Sequence, residues 1–163
     1  MPLSRQQLVR EYVSSIHNGE AALFIGAGMS RPAGFLDWKG LLRDCARELN
    51  LDVDREWDLV AVAQYYLNRM NRDRARLNNI LRAEFDRPAT FTKSHEIIGR
   101  LPISTIWTTN FDKLIEKTLE RSGRQVDVKS WDQQIALSAR GRDVVLYKMH
   151  GDISNPDEVT ICK

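Results

Sequence analysis

The sequence is poor in cysteine, in net charge and in long apolar segments. Only Cys45 and Cys162 occur among its 163 residues, so neither a disulfide framework nor a four-thiolate zinc site can form within the chain. This content predicts a reducing, cytoplasmic location and no bound metal. The formal net charge of +2 provides no overall field that would attract nucleic acid. No segment approaches the roughly 18 apolar residues of a membrane span, and no export signal opens the chain.

What the sequence does contain is a regular alternation of short apolar runs and helical patterns. Apolar runs at 21–25, 104–108 and 144–149 predict strands that are buried on both faces of a sheet. Helical patterns separate them, and the longest helical stretch covers about 39–100. Strands that alternate with helices are typical of parallel α/β sheets. We therefore expect a Rossmann-like parallel sheet with flanking helices and a helical insertion after the first strand.

The end of the chain shows a further alternation. Val159 and Ile161 are apolar within 158–162, which predicts the start of another strand. Because a domain rarely ends inside a strand, we expect residues 1–163 to be one domain that is truncated at its C-terminus, with a helical subdomain at about 39–100.

Three of the predicted strands are followed by polar or glycine-rich sequence. These segments are GAGMS at 26–30, TTNFD at 108–112 and MHGD at 149–152. In open parallel sheets, ligands bind outside the carboxyl ends of the strands, so the three segments should converge on one crevice.

The Gly26-Ala27-Gly28 segment allows two interpretations. It could bring backbone amides close to phosphate oxygens, as other glycine-rich loops do, or it could be a simple tight turn. The full G-x-G-x-x-G dinucleotide fingerprint is absent. Any dinucleotide would therefore be bound by a variant of that arrangement.

The polar residues of the other two segments also allow local interpretations. Asn110 could bind a ribose hydroxyl or orient a water molecule, but its spacing from the next helical pattern favours a helix cap, with Asp112 complementing the helix dipole. His150 ends a strand and could act as a general base near neutral pH. His17 and His95 lie in helical patterns beside polar neighbours, which predicts surface positions.

In this order and spacing, the segments resemble the sirtuin superfamily. Residues 26–38, GAGMSRPAGFLDW, are similar to the family's GAG-x-S-x-x-x-G-I-P-D-F; Thr108–Asp112 is similar to T-Q-N-x-D, and His150-Gly151 to its His-Gly. The resemblance implies a Rossmann-like NAD site. It places the loop of Gly26, Ala27, Gly28 and Ser30 against the pyrophosphate and Asp37 near the nicotinamide. It also places Thr109, Asn110 and Asp112 near the nicotinamide ribose and the attacking water, with Asn110 and His150 as the catalytic pair.

The departures narrow the resemblance to one branch. Trp38-Lys39 replaces the Phe-Arg of deacylase sirtuins, Thr109 replaces their Gln, and their four-cysteine zinc module cannot form. The chain is thus more similar to bacterial SIR2-like effector domains of antiphage defence, which cleave NAD to nicotinamide and ADP-ribose. That likeness implies a homo-oligomer or a complex with a sensor, nuclease or ATPase component.

Three alternatives stay open from sequence alone. One is an NAD-dependent protein deacylase or ADP-ribosyltransferase, and another is a module that binds NAD or ADP-ribose without turnover. The third is nucleic-acid binding through the arginines at 69, 72, 74 and 76. Arginine clusters on helices are mostly solvated faces, so direct nucleic-acid binding is not expected.

Overall fold

Residues 4–135 and 140–161 of the computed structural model are described here, and they contain a four-stranded parallel sheet. Its strands are β1 Ala22–Ile25, β2 Thr105–Thr108, β3 Val126–Lys129 and β4 Val144–Lys148, in the order β1-β2-β4-β3. The last residues Ile25 and Thr108 are paired in register, and Thr108 is paired with Lys148. The strands therefore end at one level, and the segments that follow them share one edge.

Helices surround the sheet and fill the long connection between β1 and β2. They are α1 Arg5–His17, α2 Trp38–Glu48, α3 Leu59–Arg69, α4 Ala75–Phe85, α5 Lys93–Arg100, α6 Leu114–Arg121 and the short α7 Asp132–Ile135. Helices α2 to α5 lie between β1 and β2 in the chain, which confirms the helical insertion and the α/β fold. No helix in the described part of the chain is long and apolar enough to span a membrane.

Two apolar clusters form the interior. One packs the sheet through Ile25, Ile106 and Leu146 against Ile115 and Leu119 of α6. The other joins α2, α3 and α4 and reaches the loops at the sheet edge; it includes Leu42, Ala63, Tyr66, Leu81, Phe85, Phe111 and Ile153. The helical insertion is thereby packed directly against the loops that follow β2 and β4.

The prediction of a strand at 158–162 is wrong for residues 158–161, and Cys162 lies outside the residues that the structure describes. Val159 and Ile161 are each 1% exposed, but this stretch follows a 3-10 helix at Pro156–Glu158 and carries no strand assignment. Arg74 instead donates hydrogen bonds to the carbonyl oxygens of Pro156 and Val159 at 3.1 and 2.9 Å. The alternation of apolar and polar residues reflects the burial of every second side chain against helices. Such burial does not require a neighbouring strand.

Candidate active site

The three segments predicted to converge do meet at the carboxyl edge of the sheet. The Thr109 amide donates to the carbonyl of Ile25 at 3.2 Å, and the Met149 amide donates to the carbonyl of Thr108 at 2.9 Å. These bonds continue the strand pairing beyond the sheet and link the loops after β1, β2 and β4.

Asn110 ties the loop after β2 to the loop after β1. Its side-chain Nδ2 donates to the carbonyl of Gly26 at 3.2 Å and to the Oγ of Ser30 at 2.9 Å. Its backbone amide donates to the Oγ1 of Thr108 at 3.0 Å. The interpretation of Asn110 as a helix cap is wrong, because α6 begins only at Leu114 and the side chain faces the glycine loop. Its Oδ1 is buried and has no hydrogen-bond partner among the described residues, which leaves an acceptor for a ligand.

The glycine loop is a tight turn with an open side. The amides of Met29 and Ser30 donate to the carbonyls of Gly26 and Ala27 at 3.0 and 3.1 Å. Gly28 is exposed, and a β-carbon there would have no atom within 4 Å. The turn interpretation is therefore confirmed, while the approach of a phosphate to this loop stays a prediction.

A small, partly open cavity of about 20 Å³ lies beside Asn110. Five predicted site residues line it together with apolar side chains; the full set is Ala27, Ser30, Thr109, Asn110 and Asp112 with Leu36, Trp38, Leu41, Phe85 and Phe111. This volume is that of about one water molecule, so a larger ligand requires the lining side chains to move. An apolar, aromatic wall facing an amide suits a flat heterocycle with a polar substituent.

His150 packs against two of these aromatic side chains. Its ring lies edge-on to Trp38 with centroids 6.0 Å apart, and 6.4 Å from the ring of Phe111. Its Nδ1 is buried and has no partner among the described residues. Burial lowers the pKa of His150 below its usual value, because the charged imidazolium is poorly solvated there. Burial thus favours the neutral imidazole, whose unprotonated nitrogen can accept a proton.

The two carboxylates named from sequence have local bonds. Asp37 caps α2 by accepting the amide of Gly40 at 2.9 Å, and it lies 3.6 Å from the guanidinium of Arg31. Asp112 accepts the amide of Leu114 at 2.9 Å, at the start of α6. The local role inferred for Asp112 is therefore confirmed. Asp112 also lines the cavity, whereas Asp37 is not among the residues that line it, although its neighbours Leu36 and Trp38 are.

His95 is not the surface residue that its polar neighbours suggested. It is 1% exposed and packs edge-on against Phe91 at 6.2 Å. Its Nδ1 accepts the amide of Thr92 at 3.2 Å, which closes a capping box at the start of α5. The Thr92-to-His95 spacing carried this signal, and burial lowers the pKa of His95.

Lys148 is a buried site residue that the sequence reasoning missed. Its Nζ donates to the carbonyls of Phe111 and Asp112 at 3.1 and 2.7 Å, and to the carboxylates of Glu116 and Asp152 at 2.8 and 2.5 Å. The signal was a lysine two residues before His150, placed on the same strand face as the buried residues 144 and 146.

The arginine cluster is partly used inside the fold. Arg74 binds the carbonyls near the chain end as described above, and Arg76 pairs with Glu48. Within the described ranges, no group of three histidine, cysteine, aspartate or glutamate side chains is placed to hold a metal ion.

Comparison with known proteins shows what the chain is similar to. A family model described as "SIR2-like domain" matches residues 104–163, the stretch that contains Asn110, Lys148 and His150. The chain is 44% identical over 155 residues to "NAD(+) hydrolase ThsA" of Bacillus cereus (strain MSX-D12), covering 95% of this chain and 33% of the relative. Residues 104–163 thus match a SIR2-like domain, and the chain is similar to an NAD(+) hydrolase over almost its whole length.

Two other similar proteins extend the comparison. "NAD(+) hydrolase ThsA" of Acinetobacter baumannii (strain 532279) is 46% identical over 156 residues, covering 96% of this chain and 32% of the relative. "Defense-associated sirtuin 2" of Bacillus subtilis is 25% identical over 153 residues, covering 90% of this chain and 14% of the relative. The chain thus spans about a third of the length of the ThsA relatives, and those matches include both the glycine loop and the His-Gly segment.

Proposed function

We propose that this chain is the catalytic SIR2-like domain of an NAD+ hydrolase (NAD+ nucleosidase), with NAD+ as its substrate. One observation carries the proposal: the Asn110 amide is held by Gly26 and Ser30, with its Oδ1 free of partners among the described residues. It lines an aromatic cavity whose Trp38 and Phe111 rings also pack against the imidazole of His150. The names of the ThsA relatives support the same activity.

In this proposal the cavity widens, by movement of its lining side chains, to bind the nicotinamide end of NAD+. The rings of Trp38 and Phe111 pack against the nicotinamide, and the Oδ1 of Asn110 accepts a hydrogen bond from a ribose hydroxyl or from the attacking water. Asp112 and Thr109 border the ribose. The open side of the Gly26–Ser30 loop takes the pyrophosphate, and Asp37 lies at the nicotinamide end, as the family resemblance implies.

The reaction exchanges one bond for another. The bond between C1′ of the ribose and N1 of nicotinamide breaks, and its electron pair leaves with nicotinamide, which departs as a neutral molecule. Water forms the new bond to C1′ and gives its proton to His150, so NAD+ and water yield nicotinamide, ADP-ribose and a proton. Because the leaving group is neutral, the chain has only to position the reactants and accept a proton.

The wider context is also part of the proposal. We propose that residues 1–163 form one NAD-binding domain, with a helical subdomain at about 39–100, of a protein that acts in the cytoplasm and depletes NAD+ during antiphage defence. The name of the Bacillus subtilis relative supports the defence context. Assembly as a homo-oligomer, or with a sensor, nuclease or ATPase component, follows from the family resemblance.

Product analysis tests the activity. The protein as the cell produces it is incubated with NAD+ alone and with NAD+ plus an acetyl-lysine peptide, and the products are separated by chromatography. Equal release of nicotinamide and ADP-ribose in both reactions is expected. O-acetyl-ADP-ribose formation only with the peptide would instead show a deacylase. NAD+ binding without product, under conditions where the protein is active in phage defence, would show a binding module.

A further inference from the structure

The Lys148 side chain joins the two loops that carry Asn110 and His150. Its ammonium group is fully buried and donates to the carbonyls of Phe111 and Asp112, the two residues that directly follow Asn110. Lys148 itself ends β4, two residues before His150. We propose that Lys148 is a positioning residue whose ammonium group holds the Asn110 loop in register with the His150 loop. This inference rests on the proposed function, because the step that Lys148 is expected to affect is the cleavage of NAD+.

The link between the loops passes through Phe111. The carbonyl of Phe111 accepts from both the Lys148 ammonium and the amide of Ile153, at 3.1 Å each. The Phe111 ring packs against Trp38 at 5.9 Å and faces His150. Holding the Phe111 backbone therefore also holds the aromatic rings that pack against the partly buried His150.

Two carboxylates, from different parts of the chain, accept hydrogen bonds from the Lys148 ammonium. Glu116 lies on α6, which follows the Asn110 loop, and Asp152 lies in the His150 loop. Asp152 is held in turn by the amide and hydroxyl of Ser154, at 2.7 and 2.5 Å. Helix α6 and the His150 loop thus each contribute one acidic group to the same ammonium.

The charges of the cluster agree with this role. Burial by itself lowers the pKa of Lys148, but Glu116 and Asp152 outweigh it and raise that pKa, so the group stays an ammonium. Burial raises the pKa of Glu116, while Lys148 and Ser154 hold the pKa of Asp152 down. A buried ion pair is often no more stabilising than well-packed apolar residues. What the ion pair contributes here is the relative orientation of the loops, because one ammonium group contacts two backbone carbonyls and two acidic side chains.

The test removes the cluster's charges together. In Lys148→Met combined with Glu116→Gln and Asp152→Asn, no unpaired buried charge is left, so the fold should persist by circular dichroism. If Lys148 positions the loops, His150 gains solvent and its pKa rises towards its usual value. The kcat for NAD+ cleavage falls roughly 10- to 100-fold, and KM changes less. The pKa is read by NMR in the complete histidine-labelled protein, with the His150 signal assigned by its loss in His150→Gln.

A matched lysine separates positioning from general stability. Lys129 ends β3 as Lys148 ends β4, is buried, and pairs with Asp127 at 2.8 Å. Lys129→Met is expected to lower the melting temperature while leaving the His150 pKa and kcat unchanged. A folded triple variant with the wild-type His150 pKa and kcat would overturn the proposal.

An unfolded triple variant and an inactive wild-type protein would each still test the proposal. If the triple variant does not fold, Asp152→Asn alone should give a smaller rise in the His150 pKa and a smaller fall in kcat, and no change in either counts against the proposal. If the wild-type protein cleaves no NAD+, the proposed function fails, and the His150 titration still shows whether Lys148 orders the loops.

Discussion

Gly151 is the position where one added methyl group should most disturb the candidate site. It directly follows His150 and has φ of +91°, in the left-handed region that side chains other than glycine rarely adopt. A β-carbon there would lie 3.0 Å from the Cα of Val159 and 3.1 Å from the carbonyl oxygen of Glu158. Both atoms belong to the backbone, so a rotamer change cannot relieve these close contacts.

The cost of Gly151→Ala follows from these two features. The left-handed backbone costs an alanine about 1–2 kcal/mol, and forcing a methyl group into a packed site costs about 1–3 kcal/mol more. The two costs together come to about 3.5 kcal/mol. For a domain of this size, that corresponds to a fall in the melting temperature of roughly 7–14 °C. Because the contact presses on the segment next to His150, NAD+ cleavage should also fall.

Gly123→Ala is the matched control for this prediction. Gly123 has φ of +77°, but a β-carbon there meets nothing within 4 Å. The variant therefore carries the backbone strain and the same change in unfolded-chain entropy without the contact. It should lose only about 1–2 kcal/mol, with unchanged NAD+ cleavage. Calorimetry and a nicotinamide-release assay on both variants measure the difference. Equal losses of stability, or full activity in Gly151→Ala, would refute the reasoning.

Three other substitutions test separate parts of the structure. Gly99→Ala should destabilise the protein by about 1–3 kcal/mol in urea unfolding, because a β-carbon would collide with the Oγ of Ser122; adding Ser122→Ala should recover part of the loss. His95 has a pKa lowered by burial, so the folded state binds fewer protons than the unfolded state, and stability is lost as the pH falls below about 6.5. The loss between pH 7.5 and 5.5 should be smaller in His95→Gln, and an equal loss would contradict this assignment. Asn110→Asp replaces the donor facing the Gly26 carbonyl with an acceptor, so it should lower stability by about 1–2 kcal/mol and NAD+ cleavage by about 100-fold; wild-type values in both assays would count against the hydrogen bond.

The sheet could be predicted because its strands are short apolar runs with clear limits. The runs at 21–25, 104–108 and 144–149 became β1, β2 and β4, and their order placed the polar segments at one edge. Convergence of the three loops therefore followed from the general behaviour of parallel sheets. Knowledge of any single side-chain contact was not needed.

The side-chain contacts could not be predicted in the same way, because they depend on residues far apart in sequence. Local spacing made Asn110 a cap for the next helix, whereas its partners are Gly26 and Ser30, about eighty positions earlier. The apolar run at 144–149 predicts a strand that contains Lys148 but not the partners of its side chain, because they come from α6 and two loops. Local patterns describe which side of an element is buried, and only the assembled fold shows what lies there.

The most direct test of the proposed active site is NAD+ cleavage by Asn110→Ala and His150→Ala in the complete protein, with wild-type protein alongside. If these two residues carry the reaction, nicotinamide release should fall at least about 100-fold in each variant, while both variants remain folded by circular dichroism. Full turnover by both folded variants would contradict the assignment of the site.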